Sequence, residues 1–251
     1  MFAPLTRALI EDAEIGPGQT VLDVAGGPGE PSLTIAQTVG PAGLVTCTDA
    51  VMEMVEAAER EAGERGLQNI RFRQCTAEAL PFPDNSFDRC VSRLGAMLFP
   101  ETAFGEILRV TKPGGRVAFA VWRHSELNPF CHNVTEVMSR HVESPPADPN
   151  APGAFRLAES GKLAGILRTA GAIDVSEHIF KFDMEAPISP DEFWTMRSAI
   201  SESLRSKLAK LSEEERAQIA NEVRDAVKQF FPNGQMRFPT QMLIVSGNKP
   251  E

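Results

Sequence analysis

The sequence predicts an α/β fold in which a doubly wound, mostly parallel sheet is covered by helices. Short apolar segments alternate with amphipathic segments between residues 21 and 122, and this alternation is typical of parallel strands joined by crossover helices. A glycine-rich turn follows the first strand, and an acidic residue ends the second. These features predict a ligand crevice at the carboxyl ends of the strands.

The first strand and its turn are read from residues 21–33. Residues 21–24 are mostly apolar and predict a buried strand, and residues 31–32 open a helix with proline near its first position. Asp23, at the end of the strand, is expected to face the crevice. Backbone N–H groups at the helix start are expected to attract an anion. Three glycines allow the sharp turn and close approach of a ligand: Gly26, Gly27 and Gly29.

The second strand, residues 44–48, ends in Asp49. An acid about twenty residues after such a turn is placed to accept both hydroxyls of a ribose, which indicates a nucleoside ligand. The dinucleotide fingerprint would need glycine or alanine where Ser32 stands, and it does not call for an acid at Asp23. An acid there favours a ligand with a positive charge, such as the ammonium of S-adenosylmethionine.

Residues 21–29 resemble motif I of the class I S-adenosylmethionine-dependent methyltransferases, in the ubiquinone/menaquinone-biosynthesis type of small-molecule enzyme. Residues 108–117 are similar to motif III of the same family, but a purely structural proline-glycine turn between a helix and a strand is the favoured explanation of this run. The resemblance implies a Rossmann-like sheet of seven strands in the order 3-2-1-4-5-7-6, with the last strand antiparallel. It also implies S-adenosyl-L-methionine as cofactor and S-adenosyl-L-homocysteine as product. It covers residues 15–122 well and the remainder only as architecture.

The resemblance implies a site in which the methionine moiety lies at the first strand, the ribose at the second and the adenine at the third. Thr76 stands where the family usually has the acid that holds the adenine amino group, so this contact is expected to shift to Glu78 or to a backbone carbonyl. Ala50 and Met54 are expected to pack on the base or ribose, with helix packing as the alternative for Met54. The expected cofactor contacts are Asp23, Ala25, Gly26, Gly27, Gly29, Asp49, Ala50, Met54, Thr76, Ala77, Glu78, Ser92 and Arg93.

Two residues are catalytic candidates. Arg93 follows the fourth strand, where it would hold an anionic acceptor or the cofactor carboxylate, unless it pairs with a framework acid such as Asp88 or Glu106. His124 follows the fifth strand and would serve as a base, unless it is an exposed loop histidine. Because the sulfonium already activates the methyl group, in-line positioning is the main requirement. A base is needed only for an acceptor of high pKa.

The domain prediction is a single methyltransferase domain over residues 1–251, in which residues 123–170 and 185–232 supply helices of the acceptor site or lid. The second of these segments is a helical insertion near the C-terminus, with capping boxes beginning at Ser189 and Ser212. A small apolar or aromatic acceptor is expected, because apolar side chains cluster in the segments after strands four and five and in the insertion. They are Met97, Leu98, Phe99, Trp122, Phe130, Phe193 and Trp194.

The composition restricts the classes of partner that the protein is expected to bind. A net charge of −9 argues against nucleic acid and against an anionic membrane surface. The four cysteines form no CxxC pair, so no metal site is expected. We therefore expect a cytoplasmic enzyme, monomeric or homodimeric, with a small-molecule acceptor. The alternatives are a same-fold enzyme that catalyses cyclisation or elimination without methyl transfer, a nicotinamide-dependent oxidoreductase and a non-catalytic binding module.

Overall fold

In the computed structural model, which describes residues 1–142, 148 and 151–251, seven strands form one sheet in the order β3-β2-β1-β4-β5-β7-β6. The strands are β1 (Thr20–Val24), β2 (Leu44–Asp49), β3 (Ile70–Gln74), β4 (Phe87–Arg93), β5 (Thr111–Trp122), β6 (Ile173–Ala186) and β7 (Met236–Asn248). Neighbouring strands among the first five (β3-β2-β1-β4-β5) pair in parallel. β7 runs antiparallel to β5, with Trp122 opposite Met242. The predicted Rossmann-like topology is confirmed.

The helices of the described residues alternate with the first five strands and then cluster in the second half of the chain. They are α1 (Ala3–Asp12), α2 (Ser32–Val39), α3 (Met52–Glu64), α4 (Thr102–Val110), α5 (Pro129–His141), α6 (Lys162–Thr169), α7 (Pro190–Ile200), α8 (Glu202–Leu208) and α9 (Glu213–Val227). Within these residues no helix is both long and apolar enough to cross a membrane.

The chain divides into two compact units. The larger comprises residues 2–123, 150–180 and 242–251, and the smaller comprises residue 1 with residues 124–149 and 181–241. The single domain with acceptor-site or lid helices at 123–170 and 185–232 stays a prediction. Residues 143–147 and 149–150 of the first segment lie outside the described residues.

The core of the larger unit lies along the central strands. Residues 21–24 of β1 and 117–122 of β5 are almost wholly buried, as expected for strands covered by helices on both faces. Phe104 of α4 packs edge to face on Phe119 of β5, with ring centroids 5.4 Å apart. Burial is lower on β3, at one end of the sheet. The central strands therefore form a rigid platform from whose ends the loops project.

The smaller unit has its own core, built from helices α5, α7 and α9 with the start of β7. Both predicted capping boxes are present: the hydroxyls of Ser189 and Ser212 accept from the N–H groups of Glu192 and Glu215, whose carboxylates accept in return. The sequence analysis did not foresee α8, which begins after Ser201 because that hydroxyl accepts from the N–H of Leu204. The buried phenylalanines form one cluster: Phe130, Phe193, Phe231 and Phe238.

Candidate functional site

The turn between β1 and α2 has room for glycine and little else at two positions. A Cβ on Gly26 would lie 2.6 Å from the Sγ of Cys47 and 2.8 Å from the Oδ2 of Asp23. Gly29 has a φ of 121°, a conformation that side chains strongly disfavour. Ala25 adopts a left-handed φ of 58°, which is uncommon for a residue with a Cβ. The turn is therefore held in an unusual backbone shape beside the ends of β1 and β2.

The N–H groups of the three glycines are engaged within the protein. Gly26 donates to the carbonyl of Thr48 at 2.8 Å, Gly27 to the Oδ2 of Asp49 at 3.0 Å and Gly29 to the carbonyl of Gly26 at 3.2 Å. The N–H groups of these three glycines are therefore occupied, and the expectation that the start of α2 attracts an anion stays a prediction. Their part in the site is to shape the backbone.

Asp23 is fully buried at the end of β1. Its Oδ2 accepts a 2.6 Å hydrogen bond from the hydroxyl of Ser32, whereas its Oδ1 is buried with no partner among the described residues. Burial raises the pKa of Asp23 to about 6, although the Ser32 hydrogen bond and the nearby Arg93 charge oppose the shift. A buried acceptor without a donor is costly, so Oδ1 marks a place where a cationic or N–H-bearing group would be stabilised.

Asp49, at the end of β2, joins the turn to the start of α3. Its Oδ2 accepts from the N–H of Gly27 and its Oδ1 from the N–H of Val51, each at 3.0 Å. A carboxylate offers about four lone-pair sites, so each oxygen keeps capacity for one further donor. The predicted acceptor of two hydroxyls is thus held in a fixed orientation by two backbone groups.

A cleft of about 300 Å³ lies at the ends of β1, β2 and β3, at the lower end of the usual range for small-molecule sites. Six of the predicted cofactor contacts line it: Ala25, Asp49, Ala50, Thr76, Ala77 and Glu78. Its other lining residues are Val24, Val51, Cys75, Leu98, Phe99 and Pro100. Leu98 and Phe99 were expected to shape the acceptor pocket; they line this cleft, and their contact with an acceptor stays a prediction.

The segment after β4, which supplies Leu98 and Phe99, is held by an arginine from far along the chain. The guanidinium of Arg156 donates to the carbonyls of Met97, Ala96 and Phe99, the first at 3.1 Å. The N–H of Gly153 also donates to the carbonyl of Met97, at 3.3 Å. Sequence analysis missed Arg156, and no local pattern around it signals this role.

Arg93 lies between α1 and the glycine turn. Its Nη1 donates to the hydroxyl of Thr6 at 2.5 Å, its Nη2 donates to the carbonyl of Glu30 at 3.0 Å, and its guanidinium carbon stands 5.5 Å from the centre of the Phe2 ring. Its Nε is buried without a partner among the described residues. The framework acids considered as alternatives have other partners, Lys112 for Asp88 and Arg109 for Glu106. The cofactor and catalytic roles of Arg93 stay predictions.

The remaining predicted residues are placed as follows. Ser92 is fully buried, and its hydroxyl has no partner among the described residues. Met54 is 41% exposed on α3 and is not among the cleft residues. His124 belongs to the smaller unit and is exposed. Their roles as cofactor contacts, and that of His124 as a base, stay predictions.

The residues present fit S-adenosylmethionine. The unpaired Oδ1 of Asp23 suits a group that carries positive charge, and the carboxylate of Asp49 has free capacity for two hydroxyl donors. Val51, Leu98 and Phe99 give the cleft apolar walls for a flat ring. The acids at the ends of β1 and β2 and the apolar walls beyond β2 are thus arranged in the order of the amino acid, ribose and adenine groups of S-adenosylmethionine.

Comparison with known proteins agrees with this fit. A family described as "Methyltransferase domain" matches residues 21–115. The ubiquinone/menaquinone biosynthesis C-methyltransferase UbiE of Hahella chejuensis is 40% identical over 115 residues, which cover 44% of this chain and 46% of that protein. The chain spans less than half of the length of the curated relatives that it matches.

Solved structures share the fold over nearly the whole chain. The crystal structure of YcgJ from Bacillus subtilis has a TM-score of 0.60 at 25% identity and covers 98% of each chain. SpnF, a (4+2) cyclase, has a TM-score of 0.57 at 24% identity and covers 98% of this chain and 81% of its own. Residues 21–115 therefore resemble a methyltransferase domain of the class I, S-adenosylmethionine-dependent type, and they lie in a Rossmann-like sheet. S-adenosylmethionine is the cofactor of this class.

Proposed function

We propose that the protein transfers the methyl group of S-adenosylmethionine to a small apolar or aromatic molecule. The observation that carries the proposal is the arrangement of Asp49, whose two oxygens are each fixed by one backbone N–H at the mouth of an apolar cleft. A carboxylate held in this way keeps capacity for two hydroxyl donors. The similarity to UbiE supports methyl transfer as the reaction and a carbon atom as the acceptor.

In this proposal the cofactor site comprises the predicted contacts at the strand ends. Asp49 binds the ribose hydroxyls, and Ala50, Thr76, Ala77 and Glu78 surround the adenine. Asp23 faces the amino group through its unpaired oxygen. When bound, S-adenosylmethionine supplies a methyl group that its sulfonium already activates.

The residues of the chain then need to orient the acceptor and exclude water. Correct positioning of two reactants contributes a large part of the rate acceleration in reactions of this kind, so the proposal requires no strong base. Arg93 stays a candidate for holding an anionic acceptor or the cofactor carboxylate, and His124 for accepting a proton. The net charge of −9 supports a small acceptor over a nucleic acid.

Product analysis tests the proposal. The purified protein is incubated with S-adenosylmethionine and a panel of phenols, naphthols, quinols and their carboxylated derivatives, and the mixture is examined by mass spectrometry. We expect S-adenosylhomocysteine and a methylated acceptor in equal amounts, and much less of both from Asp49→Ala when S-adenosylmethionine is not saturating. An acceptor that is transformed without S-adenosylhomocysteine would instead establish the same-fold alternative, a cyclisation or elimination. The likeness to SpnF shows the shared fold alone.

A further inference from the structure

A partly buried arginine that forms no ion pair among the described residues lies in the smaller unit. Arg197 lies on α7, and its guanidinium carbon is 4.6 Å from the centre of the Phe130 ring. Its Nε is buried and has no hydrogen-bond partner among the described residues. Burial lowers the pKa of the guanidinium, and the nearby Cys131 opposes this shift.

Three other arginines of this unit each form an ion pair with a carboxylate. Arg140 pairs with Glu136, Arg224 with Asp191 and Arg237 with Asp183. Among the described side chains, no carboxylate forms an ion pair with Arg197. A buried charge without a counter-ion costs free energy, and the phenylalanine face recovers only part of it. An arginine kept in this position is therefore well suited to a counter-ion that comes from outside the chain.

The rest of the guanidinium is accessible to such a counter-ion. The two Nη atoms make no hydrogen bond within the described residues, and unlike Nε they are not buried. Apolar groups flank the same stretch of helix, since Trp194 and Ile200 stand three residues before and after Arg197, and Ile200 is 60% exposed. The guanidinium thus combines a partly buried charge, free donors and apolar neighbours.

We propose that Arg197 is an anion-recognition residue that binds the carboxylate of a small apolar or aromatic monoacid. A guanidinium fork matches a carboxylate by two parallel hydrogen bonds. One unpaired arginine balances a single negative charge, which favours a carboxylate over a phosphate dianion. The inference goes beyond the proposed function and does not depend on it.

The test is calorimetric titration of the full chain with 2-naphthoate and with its neutral analogue 2-naphthamide. We expect the wild-type protein to bind 2-naphthoate more tightly than the amide. Arg197→Met is expected to weaken naphthoate binding about tenfold or more and to leave amide binding unchanged, because it removes hydrogen bonds to a charged group. Arg197→Lys keeps the positive charge but loses the planar fork of donors. Its affinity for naphthoate should therefore lie between those of the wild type and Arg197→Met.

Arg140→Met is the matched control, because it removes an exposed arginine of the same unit that already pairs with Glu136. It should bind naphthoate as the wild type does. Circular dichroism verifies that each variant is folded. Three results would overturn the proposal: no binding of naphthoate by the wild type, equal binding of acid and amide, or unchanged naphthoate binding by a folded Arg197→Met.

Titration of the same samples with S-adenosylhomocysteine separates this inference from the proposed function. Binding of S-adenosylhomocysteine without Arg197-dependent naphthoate binding would refute the anion site and leave the methyltransferase proposal standing. Arg197-dependent naphthoate binding without S-adenosylhomocysteine binding would establish the anion site and refute the methyltransferase proposal.

Discussion

The backbone N–H of Gly27 donates a 3.0 Å hydrogen bond to the Oδ2 of Asp49, a residue twenty-two positions later in the chain. This bond ties the turn after β1 to the end of β2. Asp49 also receives the N–H of Val51, so one side chain organises the two loops beside the cleft and keeps spare acceptor capacity. The residue proposed to bind the ribose is therefore also the residue that holds the glycine turn.

Replacing Asp49 by asparagine should weaken S-adenosylhomocysteine binding about tenfold or more. The amide has one acceptor oxygen, and keeping a bond to Gly27 or Val51 leaves less capacity for hydroxyl donors, whose bonds to a charged acceptor are worth about 1.5–3 kcal/mol. Calorimetric titration measures the change, with Glu53→Gln, which alters an exposed acid of α3, as the matched control. Wild-type affinity in Asp49→Asn would show that Asp49 does not hold the ribose.

The raised pKa of Asp23 predicts that the stability of the folded protein depends on pH. Its folded pKa of about 6 lies above the ordinary 3.8, so the folded state holds a proton that the unfolded state has lost. The stabilisation from Asp23 is therefore full below pH 3.8 and is lost as the pH rises through 6. Between about pH 5 and about pH 7 the free energy of unfolding should lose roughly 1 kcal/mol of the contribution from Asp23.

Urea unfolding of the wild type and Asp23→Asn at both pH values isolates this contribution, because asparagine does not titrate and all other groups are shared. We expect the wild type to lose more stability than the variant on going from the lower to the higher pH. Parallel losses in the two proteins would contradict the raised pKa.

Gly26 is predicted to tolerate no side chain. A Cβ would approach the Sγ of Cys47 to 2.6 Å and the Oδ2 of Asp23 to 2.8 Å, and both neighbours are buried and cannot move freely. Gly26→Ala should lower the free energy of unfolding by about 1–3 kcal/mol. Gly105→Ala is the control, because its Cβ meets nothing within 4 Å on α4 and should raise stability by about 0.5–1 kcal/mol. A neutral Gly26→Ala in urea unfolding would show that the turn has room to adjust.

Arg156 should act on the cofactor site by positioning the loop after β4. Its guanidinium holds three carbonyls of residues 96–99, and Leu98 and Phe99 line the cleft. Arg156→Ala is expected to raise the Kd for S-adenosylhomocysteine about three- to tenfold and to increase hydrogen exchange in this loop. Arg168→Ala, an exposed arginine of the same unit, should change neither. Unchanged exchange in Arg156→Ala would contradict the positioning role.

The sequence predicted most of the larger unit, because its signals are local. The turn at Gly26, Gly27 and Gly29 and the acids Asp23 and Asp49 follow directly from strand, turn and helix patterns. The family resemblance supplied the strand order, which periodicity cannot give. The hydrogen bond from the Gly27 N–H to Asp49 could not be predicted, because a sequence pattern does not show which N–H group donates to a given carboxylate.

Long-range contacts set the limit of the sequence analysis. Arg156 reaches carbonyls 57–60 residues earlier in the chain, and a carbonyl acceptor leaves no trace in residue type. Arg197 was not singled out, because the lack of a partner is a property of the folded surroundings. Leu98 and Phe99 were recognised as site residues, but the sequence alone does not show whether they contact the adenine or the acceptor, because an apolar side chain suits both equally.

The central claim is most directly tested by calorimetric titration of the wild-type protein with S-adenosylmethionine, S-adenosylhomocysteine and NADH in parallel. The account predicts binding of the first two at micromolar concentrations and no detectable binding of NADH. Binding of NADH alone would contradict the assignment of the cleft and make the protein a candidate oxidoreductase.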